Sequence, residues 1–248
     1  MADKSQMTVF RNIAYDNYKQ TNKQTKLDIY IPKNQAPIAV VIFFYGGCWG
    51  KCSRLHKNDY LFVAETLAQY GIATVIPDFR QYPEFGLQTI LQDSSNATFW
   101  LMQNAEKYGI NKSKIFLMGH SSGAHIAAML TNRNDLLAEN LKNIAGFIGL
   151  AGPYGYTPDD NFFKPIDLVD GDEAPQLILH GTADNRVGKI NSIYYAEVLA
   201  ESDVKHELVL LDNISHAKLL LSFAKPFRKN SIALEKIIQF ITKFSLNK

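Results

Sequence analysis

The sequence predicts an α/β protein built on a mostly parallel, doubly wound sheet, with antiparallel strands at its amino-terminal end. Three observations carry this. Short apolar, β-branched-rich runs recur at 38–44, 72–76, 115–118, 144–150 and 176–180, the pattern of strands buried on both faces. Stretches of helical period separate most of them. The connections are short, and no internal repeat or interdomain linker interrupts them, so residues 1–248 read as a single domain.

Taken in order, the first strands are expected over 9–15 and 26–31, where Leu27, Ile29 and Ile31 alternate with polar neighbours as half-buried antiparallel strands do. Thr21, Asn22 and Lys23 supply a turn between them. The buried strand 38–44 follows, then a helix over 58–70 that stops at Gly71, then the strand 72–76 closed by Pro77. A long helix over 89–108 places Ile90, Ala97, Leu101, Ala105 and Tyr108 on one face, with Gly109 as its C-cap. After the strand 115–118 comes a helix to about residue 131, and then the strand 144–150. Residues 152–173 break the rhythm with prolines, glycines and acids among Tyr154, Tyr156, Phe162 and Phe163, the mark of a small irregular insertion over the sheet in place of a large lid. A strand over 176–180, a helix over 188–202, a strand over 206–211 and a helix over 231–244 complete the chain.

Composition excludes several classes. Apolar residues at 46% and charged residues at 20% suit a soluble globular protein, and 26 basic against 24 acidic residues leave a formal charge of only +2. That balance offers no electrostatic case for nucleic acid or an anionic membrane. The polar start, Met1 to Gln6, leads to no apolar signal core, and the apolar run 38–45 is far too short to span a bilayer; the expectation is a cytoplasmic location. Cys48, Cys52 and His56 are evenly spaced but lack a fourth ligand and the usual zinc spacing, so no metal is expected. In a reducing compartment the two cysteines read as free thiols in a loop.

The chemistry-bearing residues lie just after buried strands, where open α/β sheets bind ligands. Gly119-His120-Ser121-Ser122-Gly123 joins a strand to a helix through one serine, a nucleophile-elbow pattern with Ser122 as the neighbouring alternative. Tyr45-Gly46-Gly47-Cys48-Trp49-Gly50 follows the strand 38–44; paired glycines there let backbone N–H groups approach a developing oxyanion. Asp184 follows the strand 176–180, and His216 follows 206–211. Asp212 competes with Asp184 for the role of acid, while His120, His125 and His180 read as structural. Asp78, Arg80 and Glu84 are candidates to anchor the glycine loop by ion pairs.

The chain order Ser, acid, His and the text Tyr45-Gly46-Gly47-Cys48-Trp49, Asp78-Phe79-Arg80, Gly119-His120-Ser121-Ser122-Gly123-Ala124-His125, His180-Gly181 with Asp184, and His216 carry a family resemblance. The chain resembles α/β-hydrolase-fold serine esterases of the small carboxylesterase, feruloyl-esterase-like and kynurenine-formamidase-like group. The resemblance implies the α/β-hydrolase fold, Ser121 as nucleophile, Asp184 as acid and His216 as base, with oxyanion donors in the N–H groups of Gly47, Cys48 and Ser122. It implies no cofactor, a small-molecule ester as substrate, and a monomer or homodimer. An aryl formamidase or other small amidase uses the same machinery, and a catalytically silent binding protein could keep the fold. Tyr45 stands where the group usually has histidine; with Gly46 it supports the loop, its hydroxyl either donating to the oxyanion or merely filling space. Trp49, Phe85 and Tyr154 are candidates for the substrate pocket.

Overall fold

A computed structural model describes residues 6–16, 24–33 and 35–246 of the chain. The predicted turn at Thr21 to Lys23 and most of the polar amino terminus lie outside the described residues.

The elements follow in the order β1 (Met7–Ala14), β2 (Lys26–Pro32), β3 (Ala39–Phe44), α1 (Leu61–Ala68), β4 (Ile72–Pro77), α2 (Leu87–Asn104), β5 (Ile115–His120), α3 (Ser122–Asn132), the single turn α4 (Asn134–Leu137), β6 (Ile144–Leu150), β7 (Gln176–Gly181), α5 (Ile190–Glu201), β8 (His206–Leu211), α6 (His216–Leu221) and α7 (Ile232–Leu246). All eight strands form one sheet in the order β1-β2-β4-β3-β5-β6-β7-β8. β2 runs antiparallel to β1 and β4, and every pair from β4 onward is parallel.

The central strands are made by their side chains. Every residue of β3, β4, β5, β6 and β7 is buried, because helices cover both faces; each large apolar side chain so buried stabilises the fold by about 1.5–3 kcal/mol. α7 turns Leu234, Ile237, Phe240 and Ile241 inward, and Phe240 lies where a Cβ on Gly146 would come within 2.8 Å of its ring. α3 is buried along its whole length, so the helix that starts at the elbow is part of the core.

The structure corrects two expectations. β2 is not half-buried: Asp28 and Tyr30, on the face expected to meet solvent, are both 0% exposed, because Arg11, Lys57 and α1 cover that face. Nor are the cysteines free, since Cys48 and Cys52 are joined in a disulfide. The expectation of free thiols rested on the compartment, and local geometry overrides it. A 3-10 turn at Cys48–Gly50 folds the chain back and brings the two Cα atoms to 5.3 Å, within the range a disulfide needs.

Several elements lie outside the predicted pattern, α4 among them. His216 opens the short helix α6 rather than sitting in a loop, and a 3-10 turn at Pro165–Leu168 orders the end of the insertion. Among the described residues, no helix is long and apolar enough to cross a membrane.

Candidate active site

The elbow is a point where backbone atoms nearly touch. Ser121 has φ 57° and ψ −126°, an uncommon conformation for a residue with a side chain, and it links β5 directly to α3. A Cβ on Gly119 would come within 2.1 Å of Gly123 O, and one on Gly123 within 2.0 Å of Phe44 O. Both glycines are therefore required by contact with neighbouring backbone. The second contact also carries position: it sets the helix start against the end of β3, from which the glycine loop departs. A Cβ on Gly46 would lie 3.1 Å from Ser121 Cβ, so that loop runs alongside the serine.

Within the loop, the N–H groups of Gly50, Cys52 and Ser53 turn inward to Gly47 O, and that of Lys51 to Cys48 O. The Gly47 and Cys48 N–H groups take no part in these bonds. The Trp49 N–H donates to Ser122 Oγ at 3.1 Å, fastening the loop to the helix start. Ser122 is the first residue of α3, so its own N–H has no acceptor in the preceding turn.

Opposite this lies the acid–histidine pair. His216 Nδ1 donates to Asp184 Oδ2 at 2.6 Å, and the Asp184 side chain is 0% exposed. Asp184 Oδ1 accepts from the N–H groups of Arg186 (2.9 Å) and Val187 (3.0 Å). Burial by itself would raise the Asp184 pKa, but the Val187 N–H, His216 and the Arg186 N–H outweigh it and hold the carboxyl below its usual value. Asp212 is exposed and takes no part.

Two further histidines frame the pair. His120 Nε2 faces His216 O at 3.1 Å, and because a carbonyl only accepts, that nitrogen carries the proton; the rings lie 4.6 Å apart. Burial and the neighbouring His216 depress the His120 pKa to about 3, so it stays neutral. His180 donates from Nε2 to Val187 O (2.9 Å) and accepts at Nδ1 from Ser192 Oγ (2.7 Å), which steadies the loop that carries Asp184. Burial lowers its pKa as well.

Tyr45 is fully buried, and its hydroxyl donates to Asp78 Oδ1 at 2.8 Å. A phenol has one proton to donate, and here Asp78 receives it. Of the proposed ion-pair anchors, only Asp78 reaches the tyrosine before the loop. Arg80 instead makes a two-pronged pair with Asp93 of α2 (2.9 and 2.6 Å), and Glu84 pairs with Arg54 at 3.0 Å on the surface.

The three aromatic pocket candidates separate. Trp49 stands edge-on to His125 of α3, with ring centroids 5.0 Å apart. Phe85 covers the Arg80 guanidinium at 5.1 Å, and Tyr154 is stacked on Tyr195 at 4.3 Å; both are engaged in packing. Tyr156, one of the insertion aromatics, is a further neighbour of Trp49; its half-exposed ring lies 5.8 Å from the indole. Lys57 and Asp28 are not among the residues the sequence marks as candidates. A lysine reads as surface, and the only available signal was an acid inside an otherwise apolar strand.

A sheet of this order, turning sharply into a buried helix after its fifth strand, has the α/β-hydrolase fold. The molecule superposes on a truncated carbohydrate esterase from gut microbiota with a TM-score of 0.82, at 22% identity and covering 99% of each chain. The BD-FAE family model matches residues 27–148. Among curated proteins, the chain is 25% identical over 253 residues to the probable isoprenylcysteine alpha-carbonyl methylesterase of Oryza sativa subsp. japonica, covering 86% of this chain and 59% of the relative. It is 28% identical over 134 residues to the kynurenine formamidase of Danio rerio, covering 54% of this chain and 43% of the relative. The chain has the α/β-hydrolase fold and is similar in sequence to esterases, and it spans about half the length of the curated relatives it matches.

Proposed function

We propose that the protein hydrolyses small carboxylic esters through an acyl-enzyme on Ser121. The observation that carries this reading is the 2.6 Å bond from His216 Nδ1 to a buried, doubly braced Asp184 carboxylate. With Nδ1 holding its proton toward Asp184, Nε2 is left with a lone pair, the tautomer a general base needs.

In the proposed reaction Ser121 Oγ attacks the ester carbonyl while His216 Nε2 takes its proton. The carbonyl oxygen becomes an oxyanion, stabilised by the N–H groups of Gly47, Cys48 and Ser122. The C–O bond to the alcohol then breaks, and His216 returns the proton to the leaving alkoxide. Water, deprotonated by the same histidine, releases the acid and restores the serine. Asp184 holds the ring orientation and stabilises the imidazolium formed in each half-reaction.

A panel of p-nitrophenyl acetate, longer acyl esters, feruloyl esters and N-formyl arylamines tests the proposal, together with labelling by a fluorophosphonate. Ester turnover and labelling that both vanish in Ser121→Ala support it. Turnover confined to the formyl arylamines would make the protein a formamidase instead, the activity for which its Danio rerio relative is named. Undiminished turnover in Ser121→Ala would end the mechanism.

A further inference from the structure

The loop that runs alongside Ser121 is anchored by a buried charged chain that ends on Tyr45. Tyr45 immediately precedes Gly46 and Gly47, and its ring is stacked between Tyr60 (5.2 Å) and Phe79 (4.8 Å). Asp78 Oδ1 accepts from both the Tyr45 hydroxyl (2.8 Å) and the Lys57 N–H (2.7 Å), and Oδ2 faces Lys57 Nζ at 3.3 Å. Lys57 is only 4% exposed. Its ammonium also lies 3.6 Å from Asp28 Oδ1 and donates to Asn12 Oδ1 at 2.9 Å. Asp28 in turn is held by Arg11 (3.1 Å), the Tyr30 hydroxyl (3.1 Å) and the Asn12 N–H (2.8 Å). The chain thus passes from the partly exposed Arg11 through two carboxylates and one ammonium to the residue before the glycine pair.

Burying such a set costs more than filling the same volume with apolar side chains, so packing alone does not account for it. What a charged network adds is a single geometry. Backbone oxyanion donors act only when they sit within about 2.7–3.1 Å of the developing charge, so a loop free to shift by fractions of an ångström loses much of their effect. On the serine-hydrolase reading above, we infer that Tyr45, through Asp78 and Lys57, is a positioning residue that fixes the Gly47 and Cys48 N–H groups for the transition state. Tyr45 does not touch the oxyanion itself. Burial, with Asp78 beside it, also pushes its phenol well above the usual range, which keeps the donated proton on the tyrosine.

Tyr45→Phe removes one oxygen and keeps the ring stack, so the variant retains its core. Steady-state kinetics on p-nitrophenyl acetate, affinity for phenylboronic acid as a tetrahedral-adduct mimic, thermal melting and amide hydrogen exchange over 45–53 are measured together. The expected result is a fall in kcat of about tenfold or more, the scale of a hydrogen bond to a charged group, with KM unchanged. Boronate affinity falls by the same factor, loop exchange rises about tenfold, the melting temperature moves by only a few degrees, and Tyr45→His, which keeps a donor for Asp78, recovers part of kcat. Unchanged kcat and unchanged exchange would overturn the inference. So would a loss of melting temperature with boronate affinity intact, which is the signature of a purely structural residue. If the wild type turned over no ester or amide, the serine-hydrolase reading would fall, while the exchange measurement would still decide whether Tyr45 braces the loop.

Discussion

The Trp49 N–H and Ser122 Oγ are hydrogen-bonded at 3.1 Å, and this single contact ties the loop after β3 to the first residue of the helix after β5. The two segments carry the proposed oxyanion donors, so their relative placement rests partly on a serine hydroxyl outside the proposed reaction. A neutral hydrogen bond of this kind is worth about 1 kcal/mol. Ser122→Ala should therefore lower kcat roughly five- to tenfold with little change in KM, by the same conversion. Steady-state kinetics check this, and a loss of several orders of magnitude would instead assign the nucleophile to Ser122.

Asp184 and Asp212 both follow late strands, and Asp212 is the one close to His216 in the sequence, yet only Asp184 meets the imidazole. Asp184→Asn would reverse the hydrogen-bond preference at Nδ1 and favour the wrong tautomer. The expected loss in kcat is on the order of 10⁴, the scale of the same substitution in a well-studied serine protease triad. Asp212→Asn, at an exposed position, should leave kcat within a factor of two or so, as surface changes generally do. Parallel kinetics on the two variants decide between the acids.

The central strands were legible because burial on both faces leaves a simple trace, an uninterrupted apolar run closed by glycine, proline or a polar loop. β6 and β8 fall on the predicted residues, and the ends of the other strands lie within about two positions. The placement of Ser121, Asp184 and His216 after β5, β7 and β8 was legible for the same reason. Charge pairing across the fold was not: Lys57 meets Asp28 and Asp78 only once β2 and β4 lie side by side, and no local pattern marks a lysine that will be buried. The disulfide depends on the tight turn at Cys48–Gly50, which an expectation drawn from compartment does not contain. His120 reads as structural, and its bond to His216 O spans a separation of 96 residues and has no sequence signal.

The glycines of the elbow differ sharply from one at a helix entrance. A Cβ at position 123 would collide with backbone at 2.0 Å, whereas one at position 86 would meet nothing within 4 Å, and Gly86 has an ordinary φ of −80°. Gly123→Ala should abolish soluble folded protein or cut its stability by several kcal/mol, the range of overpacking against a part that cannot yield. Gly86→Ala should be neutral or gain up to about 1 kcal/mol from the reduced entropy of the unfolded chain. Chemical denaturation of the two variants measures the contrast.

The disulfide closes a small loop, with a sequence separation of 4, around the segment that carries the proposed Cys48 donor. For so short a loop the chain-entropy model gives about 2 kcal/mol of stabilisation. Unfolded, unreduced protein should show no free thiol on titration with an aromatic disulfide reagent, because both cysteines are engaged. The Cys48→Ser/Cys52→Ser variant should lose up to about 2 kcal/mol in denaturant melts. Two titratable thiols in protein purified without reductant would contradict the bond.

His120 and His125 set the direction of the acid response. Burial lowers both pKa values from 6.5 to about 3, aided at His120 by the neighbouring His216, so the folded protein keeps both rings neutral where the unfolded chain protonates them. Above pH 6.5 neither state carries these protons, and the full stability is present. As pH falls below 6.5 the unfolded state gains protons that the native state refuses, and stability is lost until about pH 3, where the native rings protonate too. Each histidine contributes roughly 1.4 kcal/mol per pH unit within that window. His125→Leu removes one of the two while leaving His120 and the His216–Asp184 pair in place. Urea unfolding between pH 4.5 and 6 should therefore give a stability–pH slope about one proton smaller in the variant than in the wild type. Equal slopes would mean that His125 accepts a proton in the folded state after all.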